Sequence, residues 1–178
     1  MRADARRNRE RITAAALELF AERGPGVSME ELARAAGLGV GTLYRHFPDR
    51  RALVREIAAV TLEGLLQAAR DAAARDVPRW DVLREMVVQA AGQPMGLLKS
   101  LLEDGDAEAP RLRELRDAYN AALAGIVRAA QEEGALRRDL APDQVLELLS
   151  VVLCRPGARG DDAVVTVMLD GLRAGAAG

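Results

Sequence analysis

Leu38-Gly-Val-Gly-Thr-Leu-Tyr-Arg-His-Phe47 follows Ser28-Met-Glu-Glu-Leu-Ala-Arg-Ala-Ala-Gly37, and the two stretches together decide the fold. Ser28 and Glu31 stand at capping-box spacing, which predicts a helix start at that point. Gly37 can take the left-handed conformation that a sharp stop requires. Ala33 is small where two helices must cross closely, and Leu32, Leu38 and Leu43 can seal the corner between them. The pattern reads as a helix-turn-helix whose second helix points outward. Its side chains Thr42, Tyr44, Arg45 and His46 are of the kinds that contact phosphates and base edges.

Outward from this stretch, the chain is periodic at helical spacing. Before it, Ile12, Ala15, Ala16, Leu19 and Phe20 form one apolar face, closed by Gly24-Pro-Gly26. After it, Asp49 is the expected N-cap of a long helix running to about Arg75 through Leu53, Ile57, Val60, Leu65 and Ala68. Pro78 and Trp80 open a helix carrying Leu83, Met86, Val87 and Ala90, which breaks at Gly92-Gln-Pro94. A short helix from Met95 to Leu102 then leads into the acidic loop from Glu103 to Ala109. Pro110 suits the first position of a helix with Leu112, Leu115, Tyr119, Leu123, Ile126 and Ala130 on one stripe and Gly134 as its stop.

Two helices close the chain, Asp143–Cys154 and Asp161–Arg173. The first is apolar nearly all round, with Val145, Leu146, Leu148, Leu149, Val151, Val152 and Leu153. A helix apolar on every side must be covered on every side, so the pair is expected to form a four-helix interface with a second copy of the chain.

The composition agrees with an all-α fold of about nine helices. Of 178 residues, 49% are hydrophobic but only 3% aromatic, so the core must be aliphatic, and no alternating β-branched run occurs. The expected division is a DNA-binding domain over residues 1–50 and a helical body over residues 51–178. The net charge of −2 divides unevenly: residues 1–60 carry 11 Arg against 8 acidic groups, which puts the excess of positive charge at the helix-turn-helix end. Arg2, Arg6, Arg7, Arg9 and Arg11 supply much of it and could touch a phosphate backbone. A lone cysteine, Cys154, excludes an internal disulfide and reads as a small buried hydrophobe without a visible redox partner. His46 is the single histidine, so neither a metal site nor a cofactor is expected. Without a signal peptide or an apolar run of spanning length, the chain is expected to be cytoplasmic and free of the membrane.

The run from Gly39 to Leu53, Gly-Val-Gly-Thr-Leu-Tyr-Arg-His-Phe-Pro-Asp-Arg-Arg-Ala-Leu, resembles the DNA-binding signature of the TetR family of bacterial transcriptional regulators. The resemblance implies that Thr42, Tyr44, His46 and Arg50 contact the DNA backbone. Val40 and Arg45 are then the candidates for base contacts, Val40 to a thymine methyl and Arg45 bidentate to guanine; Ser28 completes the DNA-binding set. Two positions depart from the commonest pattern: Val40, between two glycines, replaces a frequent capping Ser, and Arg51 replaces a common acidic residue. The resemblance also implies an effector pocket in the helical body. Its candidate polar groups are Gln89, Gln93, Tyr119 and Asn120, with Trp80, Met86, Met95 and Leu98 as walls. The function so implied is a homodimeric, ligand-responsive repressor released from a palindromic operator by a small molecule. The alternatives are an activator or architectural DNA-binding protein without an effector and, less favoured, an all-helical enzyme; no catalytic constellation is visible in the sequence.

Overall fold

The computed structural model describes residues 2–96, 99, 110–155 and 157–175, with the side chains of Arg2, Ala3 and Pro25 excepted. Leu98, most of the expected helix from Met95 to Leu102, and the acidic loop from Glu103 to Ala109 lie outside these residues. Among the described residues there are eight α-helices and no strand: α1 Arg2–Arg23, α2 Met29–Ala35, α3 Val40–His46, α4 Arg50–Ala73, α5 Arg79–Ala91, α6 Pro110–Glu132, α7 Pro142–Leu153 and α8 Ala163–Leu172. A 3-10 turn, Gly24–Gly26, separates α1 from α2.

Two apolar cores form, one at each end of α4. Ile12, Ala16 and Phe20 of α1 close over Leu32, Ala33, Leu43 and Phe47, and the first turns of α4 contribute Leu53, Val54 and Ile57. From Ala58 onward the same helix belongs to the second core, with Leu62, Leu65 and Ala69 packed among Leu83, Met86, Tyr119, Ile126 and Val127. Both cores therefore share one continuous helix, and α4 packs most extensively on α6. Asp49 caps α4 as its spacing implies, with Oδ1 accepting from the Ala52 amide at 2.7 Å. One position departs from the expected stripe: Val60 faces solvent, because Ala59 and Thr61 take the inward positions on that turn.

The carboxyl end is tied down by an isolated antiparallel bridge between Leu136 and Arg173. The Arg137 amide donates to the Leu172 carbonyl at 3.1 Å and the Ala174 amide to the Ala135 carbonyl at 3.1 Å. On α7 and α8 the inner faces are Val145, Leu149 and Leu153 and Val165, Leu169 and Leu172. Their outer faces leave Leu148 and Val164 exposed, and Val151 and Val167 are 65% and 70% accessible.

A candidate nucleic-acid interface and two cavities

The helix-turn-helix is built from local chemistry. The Ser28 hydroxyl accepts from the Glu31 amide at 3.2 Å and donates to Glu31 Oε2 at 2.8 Å, while the Ser28 amide donates to the same oxygen at 2.9 Å. The Ser28 amide, then its hydroxyl, hold the Glu31 carboxyl below its ordinary range; Arg23 and Arg34 add to this and desolvation opposes it. Gly37 sits at φ +64, and the Leu38 amide donates back to the Ala33 carbonyl at 2.9 Å, which closes the turn. Helix α3 then starts at Gly39 with no side-chain cap.

Burial sorts the residues of α3 by face. Leu43 is wholly buried, Thr42 and His46 are half-buried, and Val40, Tyr44 and Arg45 are exposed. Tyr44 and Val40 expose 44% and 40% of their surface. Arg45 Nη2 donates to Thr42 Oγ1 at 2.9 Å, so these two polar groups are held together on one side of the helix. Two other arginines are drawn onto the protein itself. Arg50 donates to the Val27 carbonyl and lies 5.3 Å over the Phe20 ring. Arg9 pairs with Glu56 at 2.8 Å, reaches the His46 carbonyl at 3.4 Å and lies 4.5 Å over the Phe47 ring. The side chain of Ser28 is spent on the cap of α2.

Of two cavities, one borders this domain and the other lies beyond it. One, of about 620 Å³, separates the end of α1 (Phe20 to Gly24) from the end of α5 and the α7–α8 turn. The other, of about 420 Å³, is an open cleft bordered by α4, α6 and α7, with Leu62, Tyr119, Asn120, Leu123, Glu147 and Leu149 among its lining. Met95 and Cys154 line both. Burial pushes the Tyr119 phenol up to about 12. Cys154 is half-buried rather than buried, with Sγ 3.6 Å from Ser150 Oγ.

Residues 12–57 match the family described as bacterial regulatory proteins, tetR family, and residues 79–174 match the C-terminal domain of SbtR-like transcriptional regulators. The solved structure of a TetR transcription regulatory protein from Mycobacterium vanbaalenii superposes with a TM-score of 0.64 at 36% identity, covering 97% of this chain and 98% of that one. The chain belongs to the TetR family. It is a DNA-binding transcriptional regulator. Among curated relatives, a regulator of Staphylococcus aureus strain USA300 is 51% identical over 51 residues, 28% of either chain, so the match spans little more than a quarter of that relative's length. The TetR-family repressor FadR of Thermus thermophilus, solved in complex with lauroyl-CoA, is 27% identical with a TM-score of 0.50, covering 92% of this chain and 90% of that one. Among the described residues of this TetR-family chain, no helix is long and apolar enough to cross a membrane.

The structure distributes the sequence-derived pocket residues over several places. Met95, Tyr119 and Asn120 meet at the 420 Å³ cavity, and Gln93 joins Met95 at the other. Trp80 and Met86 are core residues that line neither; the Trp80 ring packs under the Arg173 guanidinium at 5.2 Å, and Gln89 is exposed. Sequence reasoning missed the contribution of α7 and its C-cap: Asp143, Glu147 and Ser150 on the helix and Cys154 just past its end all line the smaller cavity. A signal was there. These four residues recur at helical spacing and draw a polar stripe along a helix otherwise read as apolar nearly all round.

Proposed function

We propose that this regulator is a homodimeric, ligand-responsive repressor that binds a palindromic operator and is released by a small-molecule effector. The observation that carries the DNA half is the outward face of α3, where Val40, Tyr44 and Arg45 are presented while Leu43 anchors the helix from behind. Val40 and Arg45 read base edges in the major groove; Thr42, Tyr44 and His46 meet the phosphates. Ser28 and Arg50 flank that surface at the starts of α2 and α4 and, in the free protein, hold those helices in place. Residues 1–50 serve the operator and residues 51–178 the effector and the partner subunit.

The dimer reading rests on the exposed Leu148, Val151, Val164 and Val167, an apolar surface on two adjacent helices that a second copy would cover. Two-fold symmetry then sets the half-sites roughly 34 to 36 Å apart, or a multiple of that. The effector reading rests on the cavity beside Leu62 of α4. A ligand that displaces Leu62 acts on the helix whose first turns form the floor of the DNA-binding core, and FadR offers a relative crystallised with a small molecule. A switch from 1:99 to 99:1 requires about 5.5 kcal/mol of differential affinity between the two conformations.

The test is fluorescence anisotropy of the full chain on the DNA upstream of its own gene, over a salt series. Saturable binding by a dimer, falling steeply with salt, is expected; Arg45→Ala should lose about 1–3 kcal/mol of sequence discrimination while keeping most of the salt dependence. No sequence-selective binding at that site or across genomic fragments would overturn the proposal.

A further inference from the structure

We propose that Arg9 is a positioning residue for the recognition helix: it clasps the end of α3 to α4 through Glu56, and operator discrimination depends on that clasp rather than on a contact of Arg9 with phosphate. The inference rests on the reading of α3 as the operator-facing helix.

Helix α3 has seven residues and no side-chain cap at its start. A helix so short does not hold itself, so its direction is set by what grips its two ends. The beginning is fixed by the Gly37 turn, where the Leu38 amide returns to the Ala33 carbonyl. The other end is gripped from α1. Arg9 Nη1 donates to the carbonyl of His46, the last residue of α3, at 3.4 Å, and the guanidinium lies 4.5 Å over the Phe47 ring. The last carbonyls of a helix lack amide partners within it and carry the negative end of its dipole, so a cation is well placed there.

The same guanidinium holds α4. Its Nε donates to Glu56 Oε1 at 3.1 Å and its Nη2 lies 2.8 Å from Glu56 Oε2, a two-pronged pairing that fixes orientation as well as distance. All three nitrogens and one face of Arg9 are therefore committed to the protein. Arg6 and Arg7, by contrast, make longer pairs with Glu10 and Asp4 of their own helix and stay largely exposed. Glu56 immediately precedes Ile57, where α4 leaves the first core, and Ala58, where it enters the second. The clasp thus joins α3 to α4 at the level where that helix passes between the cores, and a displacement of α4 there reaches α3 through Arg9.

The experiment measures anisotropy of the full chain on the upstream DNA and on a scrambled duplex of equal length, with the active fraction fixed by stoichiometric titration. Arg9→Lys keeps the charge, and with it most of any phosphate contact, but a single ammonium cannot form the two-pronged pair and reach the His46 carbonyl together. It is expected to lose about three- to tenfold of the preference for the upstream DNA while binding the scrambled duplex as before. Glu56→Gln removes a negative charge from the DNA-binding end, which by charge alone strengthens binding to any DNA. Its amide oxygen can accept from Arg9 but its amide nitrogen cannot, so the clasp requires the preference to fall by a similar factor. The double variant should lose less than the two single losses combined, because both remove the same pairing. A role confined to folding would lower thermal stability and the active fraction but leave the preference of the active protein unchanged, and that result would overturn the proposal. Tighter upstream binding in Glu56→Gln, or losses that simply add, would do the same. Arg45→Ala separates the clasp from the reading it rests on. Preference lost there but retained in Arg9→Lys and Glu56→Gln would strike the clasp alone; no preference in the unsubstituted protein, at that site or across genomic fragments, would remove both.

Discussion

Replacing a single glycine with alanine should have opposite effects at two positions four residues apart in the helix-turn-helix. Gly37 has φ +64, where an L-residue costs about 1–2 kcal/mol. An added Cβ would also lie 2.7 Å from Arg11 Nη2, but that atom is the far end of an exposed, flexible side chain and can move away at little cost. The backbone term therefore dominates Gly37→Ala. At Gly41, inside α3, φ is not positive and a Cβ would meet nothing within 4 Å, so Gly41→Ala should stabilise by roughly 0.5–1 kcal/mol through helix propensity and lost chain entropy. Hydrogen exchange of the Leu38 and Phe47 amides, which close the turn and the end of α3, reads both effects. Opening should become about 5- to 30-fold more frequent in Gly37→Ala and about two- to fivefold rarer in Gly41→Ala. Equal protection in the two variants, or a loss in both of the same size, would refute the argument that the left-handed turn at Gly37 fixes the angle between α2 and α3.

Three further outcomes follow from other parts of the chain. Asp49→Ala removes the acceptor for the Ala52 amide and should cost about 1 kcal/mol, read as earlier fraying of the first turn of α4 and weaker operator binding. Glu31 has a folded pKa below its ordinary 4.5, so its contribution is present above pH 4.5 and is lost as the pH falls through the folded value. Protection factors of the α2 amides, which remove the intrinsic pH dependence of exchange, should therefore fall on acidification below pH 4.5, and in Glu31→Gln that part of the fall should be absent. Val151→Asp and Val167→Asp each place a charge on the exposed apolar faces of α7 and α8. Sedimentation should show monomers in both variants with helicity retained, and an unchanged dimer would remove these helices as the interface.

Much of the fold can be read locally because its determinants are local. The Ser28–Glu31 box, the left-handed Gly37 and the Asp49 cap are each satisfied within a few residues of chain, and each forms as its spacing implies. Helical periodicity likewise assigns Leu43, Leu53 and Ile57 to the inside. It is less informative on α4, where alanine, valine and threonine alternate and volume barely distinguishes the faces; there Thr61 is buried and Val60 is not. The candidate sites depend on contacts between distant residues. From type alone, Arg9 and Arg50 are cations near a nucleic-acid surface, yet both are drawn over aromatic rings, Phe47 and Phe20, more than twenty residues away in sequence. The cavity has the same character: Tyr119 belongs to it, Trp80 does not, and α7 supplies a wall that its apolar composition had assigned wholly to packing.

The sequence by itself determined that the chain is all-helical, that a helix-turn-helix lies between Ser28 and Phe47, and that Asp49 begins a long connecting helix. Those properties follow from capping, turn and periodicity terms acting over four or fewer residues. Only the tertiary structure decided which arginines are held against the protein, where the interior remains open, and which face of α7 borders that opening. These depend on how helices distant in sequence come together, and a helical stripe specifies a buried side without specifying the neighbour that buries it.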